Sequence, residues 1–545
     1  MKIEIEKYNP GWIHSFDKFK KMKINPLILI LLTGALAQCT SSGIPVKAQR
    51  YNALTVNTTI APTLVVNGEN THDIVKAYRI AIGDIMGNIQ YHQSGILKEK
   101  TPCLYAGLLY GKPWTRDAAI NIWNGFGLLS PDVSKNTLLA QIEKDDTGKN
   151  MIAGQYWDKI IWTLGAWNDY LYSGDREFLK FAYQATQNTL QQLETEEFSQ
   201  ESGLFRGPAV YGDGVAAYPA IYTHHQSEDQ TGSYSGIDQW AEVNEDLKYP
   251  KGHGLPMQVL STNAVYYQAY RLLTRMAHEL KEKPEKEWEE KAENLRKSIN
   301  HHFWNESKHN YDYLIDSFGH CDAQESLGIA FCLLFDIADE EKVADIFKTT
   351  VVEPAGVPCV YPTFERYRND TLDSYGRHSG TVWPHIQGFW ADGAMKYQYH
   401  DIFLHEFNAL TRHALRDFQF VEIYHPTRET PYGGIQEPYL KEWTEWFCAE
   451  RQTWSATAYL RMIFQYMVAM KFSEQGVTFK PFVPDGINSM SLLGLRYRNS
   501  TLDIHITGTG TTIEHFFVNG LETGNFFIPA DSNGKIAIEI NLAGG

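Results

Sequence analysis

The sequence predicts a mainly α fold, an (α/α)6 toroid of paired helices with a small C-terminal antiparallel β module. Three observations predict it. About twelve stretches between residues 71 and 472 repeat apolar residues with the 3.6-residue helical period. Many of their connections are short, as between antiparallel neighbours. Beyond residue 472 the pattern changes to two-residue alternation between Gly-rich turns. An open helical solenoid is the other way to stack so many helices, but no motif repeats at a fixed period.

Residues 1–39 read as a signal segment. Lys18, Lys20, Lys21 and Lys23 precede an apolar run from Pro26 to Ala37, too short for a permanent membrane span. Leu36-Ala37-Gln38-Cys39 resembles a bacterial lipoprotein signal. That implies a lipidated Cys39 and a place in the bacterial cell envelope, periplasm or outer membrane. Gln38 stands where a small residue is usual, and an ordinary secretory signal cut nearby is the other reading. Residues 40–70 are polar and β-branched, a tether with one or two strands.

Helical periodicity begins at Thr71, with Thr71 or Asp73 as N-cap and Ile74, Ala77, Tyr78, Ala81 and Ile85 on one face. The first helix is expected over 71–92, followed by 115–129, 132–143, 156–173 and 175–195. A loop of some sixty residues, 196–257, follows, rich in Gly, Tyr, Asp and His. Long loops in compact helical domains usually serve a site. Helices are then expected near 258–281, 284–303, 322–336, 339–349, 384–396, 401–418 and 452–472. Residues 473–545 read as a β-sandwich-like module, with Thr501–Thr507 and Lys535–Ile540 alternating. It is short for a full sandwich, so strands from 45–70 are expected to complete it.

The net charge of −16 argues against a nucleic-acid partner. The 14 Trp, 31 Tyr and 27 Phe favour sugar faces as ligands, although a large helical core would use them equally well. Six Cys, scattered and odd in number once Cys39 is set aside, form no disulfide framework and no zinc spacing. There is no phosphate-cradling loop and no Ser-His-Asp order, so no cofactor and no metal are expected. The expected partner is an oligosaccharide, with a membrane met only through the lipid anchor.

Three constellations carry chemistry. Phe420-Val421-Glu422-Ile423-Tyr424-His425-Pro426 places a carboxylate among apolar and aromatic neighbours, followed by Gly433-Gly434 and Trp454-Ser455-Ala456. Glu422 is the candidate base, with Glu437 as runner-up and Glu325 as a spare carboxylate. Trp114-Thr115-Arg116-Asp117 offers a stacking ring beside a sugar clamp, or a structural ion pair at a helix start. Gly376-Arg377-His378-Ser379-Gly380-Thr381-Val382-Trp383-Pro384 puts Trp383, His385 and Gln387 near a pocket wall, with Trp383 as plain core the competing reading.

Together these stretches resemble the six-hairpin toroid glycoside hydrolases: the trehalases, the processing α-glucosidase I group and the mannosylglycerate hydrolases, with a glucoamylase-like W-x-R-D element. The resemblance implies that Glu422 is the general base, that Tyr424 belongs to its motif, and that Trp114, Arg116 and Asp117 hold the sugar. His425 departs from the usual Asn or Asp. The resemblance also implies an Asp acid after a Ser-Gly-Leu stretch, here Ser202-Gly203-Leu204, which points to Asp213 between Gly212 and Gly214. The sequence inserts residues there, so a simple Asp-Gly turn competes. Asp117, Asp238 and Glu242 are the other acids in range. A structural Ca²⁺ is compatible with this superfamily, but nothing in the sequence demands one. The implied activity is an inverting, exo-acting α-glycosidase for glucosides, mannosides or related oligosaccharides. Its two carboxyl groups would stand roughly 6.5–9.5 Å apart to admit water. A non-catalytic glycan-binding envelope lipoprotein on the same scaffold is the alternative.

Overall fold

A computed structural model describes residues 61–544 apart from 70, 221–236, 238–254, 284–285, 317–318, 370 and 437–443. The signal segment, most of the tether, Asp238, Glu242 and Glu437 lie outside the described residues.

Among the described residues twelve α-helices of seven residues or more follow in order: α1 (His72–Gly87), α2 (Thr115–Asn121), α3 (Pro131–Leu139), α4 (Trp162–Ser173), α5 (Arg176–Glu197), α6 (Leu260–Leu280), α7 (Lys286–Phe303), α8 (Ser326–Leu334), α9 (Glu340–Thr349), α10 (Pro384–Lys396), α11 (His400–Asp417) and α12 (Thr453–Met462). The even-numbered helices form an inner ring. Each touches the next, and α12 closes back on α2, where Thr457 donates to Asn121 at 2.8 Å. The odd-numbered helices lie outside. This is an (α/α)6 toroid.

Burial follows position in the ring. All seven residues of α2 are buried. The outer helix α7 buries only the stripe Trp288, Ala292, Leu295, Ile299 and Phe303, one face at helical spacing. Each large side chain of such a stripe contributes about 1.5–3 kcal/mol. Local signals set the ends. Pro131 and Pro384 open α3 and α10 at the first turn, where a missing N–H costs nothing. Asp175 caps α5 by accepting from the Phe178 N–H at 2.9 Å. Gly174, at φ +74°, ends α4.

The first helix stops five residues short of expectation. Asn88 turns its amide to Arg451 O at 2.7 Å and Thr453 Oγ1 at 2.8 Å, and Ile89–His92 pairs instead with Thr101–Leu104. Such tertiary pairing outbids a helical pattern at its end. At their far ends α2 and α12 each pass into a π turn, Ile122–Phe126 and Ile463–Met467.

The C-terminal residues build two sheets. With β1 (Thr63–Gly68), β2 (Met470–Phe472), β3 (Gly476–Phe479), β4 (Ile487–Tyr497), β5 (Asn499–Thr507), β6 (Thr509–Val518), β7 (Leu521–Glu522), β8 (Phe527–Pro529) and β9 (Asn533–Gly544), the orders are β1-β4-β5-β9-β6-β7 and β2-β3-β8. Pairing is antiparallel except between β5 and β9, which run parallel with Ile504 opposite Ile538. Leu502, Ile504 and Ile506 are buried together with Ile536, Ile538 and Ile540, the inward face of a two-residue alternation. Cys103, Cys321, Cys332, Cys359 and Cys448 are free thiols.

Candidate active site

Three inner helices present their first turns to one cavity of about 280 Å³. Trp114 precedes α2 in extended conformation, and Arg116 and Asp117 follow in its first turn. Trp383 stands just before α10, and Trp454 lies near the start of α12. Asp213 comes from the long loop and Glu422 from the segment between α11 and α12. All of these residues line the same cavity.

Glu422 is nearly fully buried, at 1% exposure, and three donors converge on its carboxylate. Arg377 donates to Oε2 at 2.8 Å, the Ala449 N–H donates to Oε2 at 3.2 Å, and the Tyr110 hydroxyl donates to Oε1 at 2.5 Å. A carboxylate offers about four lone-pair sites. Three are taken, which leaves one to accept a proton. Arg377 is itself fixed, because it also donates to Gly433 O and Phe447 O at 3.0 Å each.

Asp213 is built differently. Its side chain is 47% exposed, toward the cavity, and Oδ2 accepts from Arg116 at 3.3 Å. Gly214 is required beside it, since a Cβ there would stand 2.1 Å from Gln436 Oε1 and 2.8 Å from His378 Cε1. Enclosure in the cavity pushes the Asp213 carboxyl up, but the positive groups around it, Arg116 first and Arg377 among them, together outweigh this and hold the group below the usual carboxylate range. His378 lies 3.7 Å away, too far for a hydrogen bond. Burial pushes its pKa down to about 3, so it is neutral.

The Arg116–Asp117 pair is not the simple clamp that its sequence suggests. Arg116 spends its donors on Asp158 at 3.2 Å, on Val210 O at 3.1 Å and on Asp213. Adjacent helical residues point in different directions, so Asp117 faces elsewhere. It is 5% exposed, and its Oδ1 has no partner among the described residues. Burial raises its pKa to about 7 against the pull of Arg116, with Glu422 and Asp213 adding repulsion. Asp117 can therefore hold a proton at neutral pH and serve a sugar hydroxyl as donor or acceptor.

Three expected site residues stand elsewhere. His385 is fully buried behind the wall, stacked on Trp454 at 4.2 Å. The helical turn after Trp383 carries it inward. Tyr424 is also fully buried and stacks on His413 at 4.1 Å. The chain bends at Glu422, so the alternation that would place residues 422 and 424 on one side is broken. Gln387 lies behind as well, donating to Ala355 O at 2.9 Å and to Glu406 at 2.8 Å, and Glu325 is fully buried, accepting from the Ser261 N–H at 2.9 Å.

Sequence reasoning gave no role to Tyr110, Gln155, Gln436, Trp446 or Phe447, which also line the cavity. Arg377 and His378 belong to the motif before Trp383, which by itself gave them no role. Tyr110, four residues before Trp114, was the one with a local signal.

The sequence profile of the mannosylglycerate hydrolase MGH1-like glycoside hydrolase domain matches residues 159–455. That stretch holds Asp213, Arg377 and Glu422. The profile of the glycosyl hydrolase family 65 C-terminal domain matches residues 470–522. No curated protein matches. Among solved structures the chain is similar to a sialidase, with TM-score 0.59 and 12% identity over 85% of this chain and 40% of that one. It thus spans less than half of the sialidase. It is also similar to a GH63 mannosylglycerate hydrolase from Thermus thermophilus in complex with glucose, with TM-score 0.52 and 15% identity over 71% of this chain and 99% of that one. An α-L-rhamnosidase from Dictyoglumus thermophilum gives TM-score 0.50 and 14% identity over 88% and 45%. At these identities the structural likeness shows the toroid fold alone, whereas the profile covers more than half of the sequence: the chain belongs to the mannosylglycerate hydrolase MGH1-like glycoside hydrolase domain family and is a glycoside hydrolase.

Proposed function

We propose that the chain is an inverting, exo-acting α-glycosidase that removes one neutral hexose, with Glu422 as base and Asp213 as acid. The observation that carries this is the contrast between two carboxyl groups on one cavity. Glu422 is sunk in the wall and oriented by three donors, as a base for a confined water requires. Asp213 is open to the cavity, where the leaving group of a terminal sugar would lie. A cavity of about 280 Å³ suits a single hexose ring, which favours exo action. Both guanidiniums in the wall are already paired with carboxylates and His378 is neutral. Among the described lining residues a sugar acid would find no free cation, so an α-glucuronide is expected to stay intact where the neutral α-glucoside or α-mannoside is cleaved. Aromatic faces at Trp114 and Trp446 frame the cavity.

Asp117 is the second reading for the acid, favoured by its raised pKa of about 7. Its burial argues for gripping the sugar from within rather than reaching an outward leaving group. The pH profile separates the two. With Asp213 as acid, kcat/KM should fall as pH rises, because Arg116 keeps its carboxyl ionised in the free enzyme over most of the range. Arg116→Gln removes the strongest part of that pull, leaving Arg377 as a weaker one against the effect of enclosure. The alkaline limb should then move to higher pH, even as overall activity drops. A limb that stays in place would exclude Asp213.

We further propose that Cys39 is lipidated and anchors the protein in the bacterial envelope. Detergent partition of the mature protein, lost in Cys39→Ser, is the expected result; a mature N-terminus other than residue 39 would refute it.

A further inference from the structure

A second and larger cavity, about 460 Å³, opens at the other ends of the inner helices. Its wall takes residues from along α4 and the second half of α6, from the last turns of α8, α10 and α12, and from β2. Among the described residues it is lined by five cations, Arg275, Lys396, Arg461, Lys471 and Lys480, and one acid, Asp392. This is a locally positive recess in a protein of net charge −16.

Helix C-termini carry partial negative charge and attract cations, which accounts for part of this set. Lys396 donates to Leu333 O and Leu334 O at 2.9 and 3.1 Å and pairs with Asp336 at 2.5 Å. Arg275 is paired with Glu474 at 2.8 Å, and Arg461 with Asp392. Lys471 and Lys480 have no carboxylate partner within salt-bridge distance among the described residues. The Lys471 ammonium lies 3.8 Å from the centroid of the Tyr466 ring. Three buried polar atoms in the same wall also lack partners among the described residues: Arg461 Nε, Gln268 Oε1 and the Tyr466 hydroxyl. Buried polar atoms are nearly always satisfied by protein, water or ligand. Both π turns contribute to this wall, through Trp123 and through Gln465 and Tyr466, and π turns recur at functional sites.

We propose that this second cavity binds a small hydroxylated oxyanion, a hydroxy-carboxylate or a phosphate, with Lys471 as its charge anchor. The anionic group would sit between Lys471 and Arg461 Nε. The Tyr466 hydroxyl and Gln268 Oε1 would meet a ligand hydroxyl. Burial pushes the Lys471 ammonium down to about 8, against the pull of Asp392, so a bound anion would stabilise its charged form.

The test uses the full chain at pH 7 and low ionic strength, with citrate and inorganic phosphate as separate calorimetric probes. Acetylation of Lys471 is followed in parallel by mass spectrometry. At least one probe should bind saturably to the wild type and to Glu422→Gln, at least tenfold more weakly to Lys471→Gln, and should slow Lys471 acetylation. Citrate alone would point to a hydroxy-carboxylate, and phosphate alone to a phosphate. Failure of both probes to bind, equal binding to Lys471→Gln, or unaltered acetylation would overturn the proposal and leave a water-filled recess. If Lys471→Gln does not fold, protection of Lys471 in the wild type decides alone.

Discussion

Glu422→Gln is expected to lose hydrolysis by roughly 10²–10⁴-fold, the usual worth of a general acid or base, while still binding sugar. The exchange keeps the shape of the side chain. Its carbonyl oxygen can still accept from Arg377 or Tyr110, so folding should survive. What disappears is the lone pair that takes a proton from water. Removing the charge also leaves Arg377 short of its ion pair, and a modest loss of stability should accompany the loss of rate. Calorimetric sugar affinity near that of the wild type, beside a collapsed kcat, is the result that fits. Near-normal turnover in this variant would remove Glu422 from the chemistry.

Asp213→Asn should show a different pattern. Natural substrates need their leaving oxygen protonated, so kcat should fall by a similar roughly 10²–10⁴-fold. Glycosyl fluorides leave without that help and should be spared to a large degree. Glu422→Gln should impair both substrate types, because water still needs its base. Equal losses on fluoride and natural substrates in Asp213→Asn would reduce Asp213 to a partner of Arg116, and the acid would pass to Asp117. Asp117→Asn measured on the same two substrates would then show the selective pattern.

The legible parts of this protein are those written in local sequence. The helix over 384–396 could be placed to the residue because Pro384 marks its first turn and apolar residues then follow the helical period. Glu422 stood out because its neighbours are apolar and aromatic on both sides, whereas Asp213 was pointed to by the family resemblance after Ser202-Gly203-Leu204, its flanking glycines fitting a plain turn equally well. The closure of the ring was not local: Thr457 meets Asn121 across 336 residues of chain. The same holds for the donors on Glu422. Tyr110 reaches it across 312 residues and Arg377 across 45. No periodicity encodes which of 31 tyrosines does so. Arg116 shows how adjacency misleads. Its partners are Asp158 and Asp213, 42 and 97 residues away, rather than the Asp next to it. Tyr424 and His385 show a second failure. A motif names residues, but a bend at Glu422 and a helical turn after Trp383 decide which side chains reach the cavity. The two π turns left no trace in the helical pattern either, since one inserted residue barely perturbs an apolar stripe.

In the proposed reaction Glu422 and Asp213 act from opposite faces of the sugar with water between them. The direct measurement is ¹H NMR of the anomeric signals in the first minutes of hydrolysis of a neutral α-glucoside or α-mannoside, before mutarotation scrambles them. An inverting site must release the β-anomer first. Initial release of the α-anomer would mean retention through a covalent intermediate, with carboxyl groups roughly 5–5.5 Å apart, and would contradict the account.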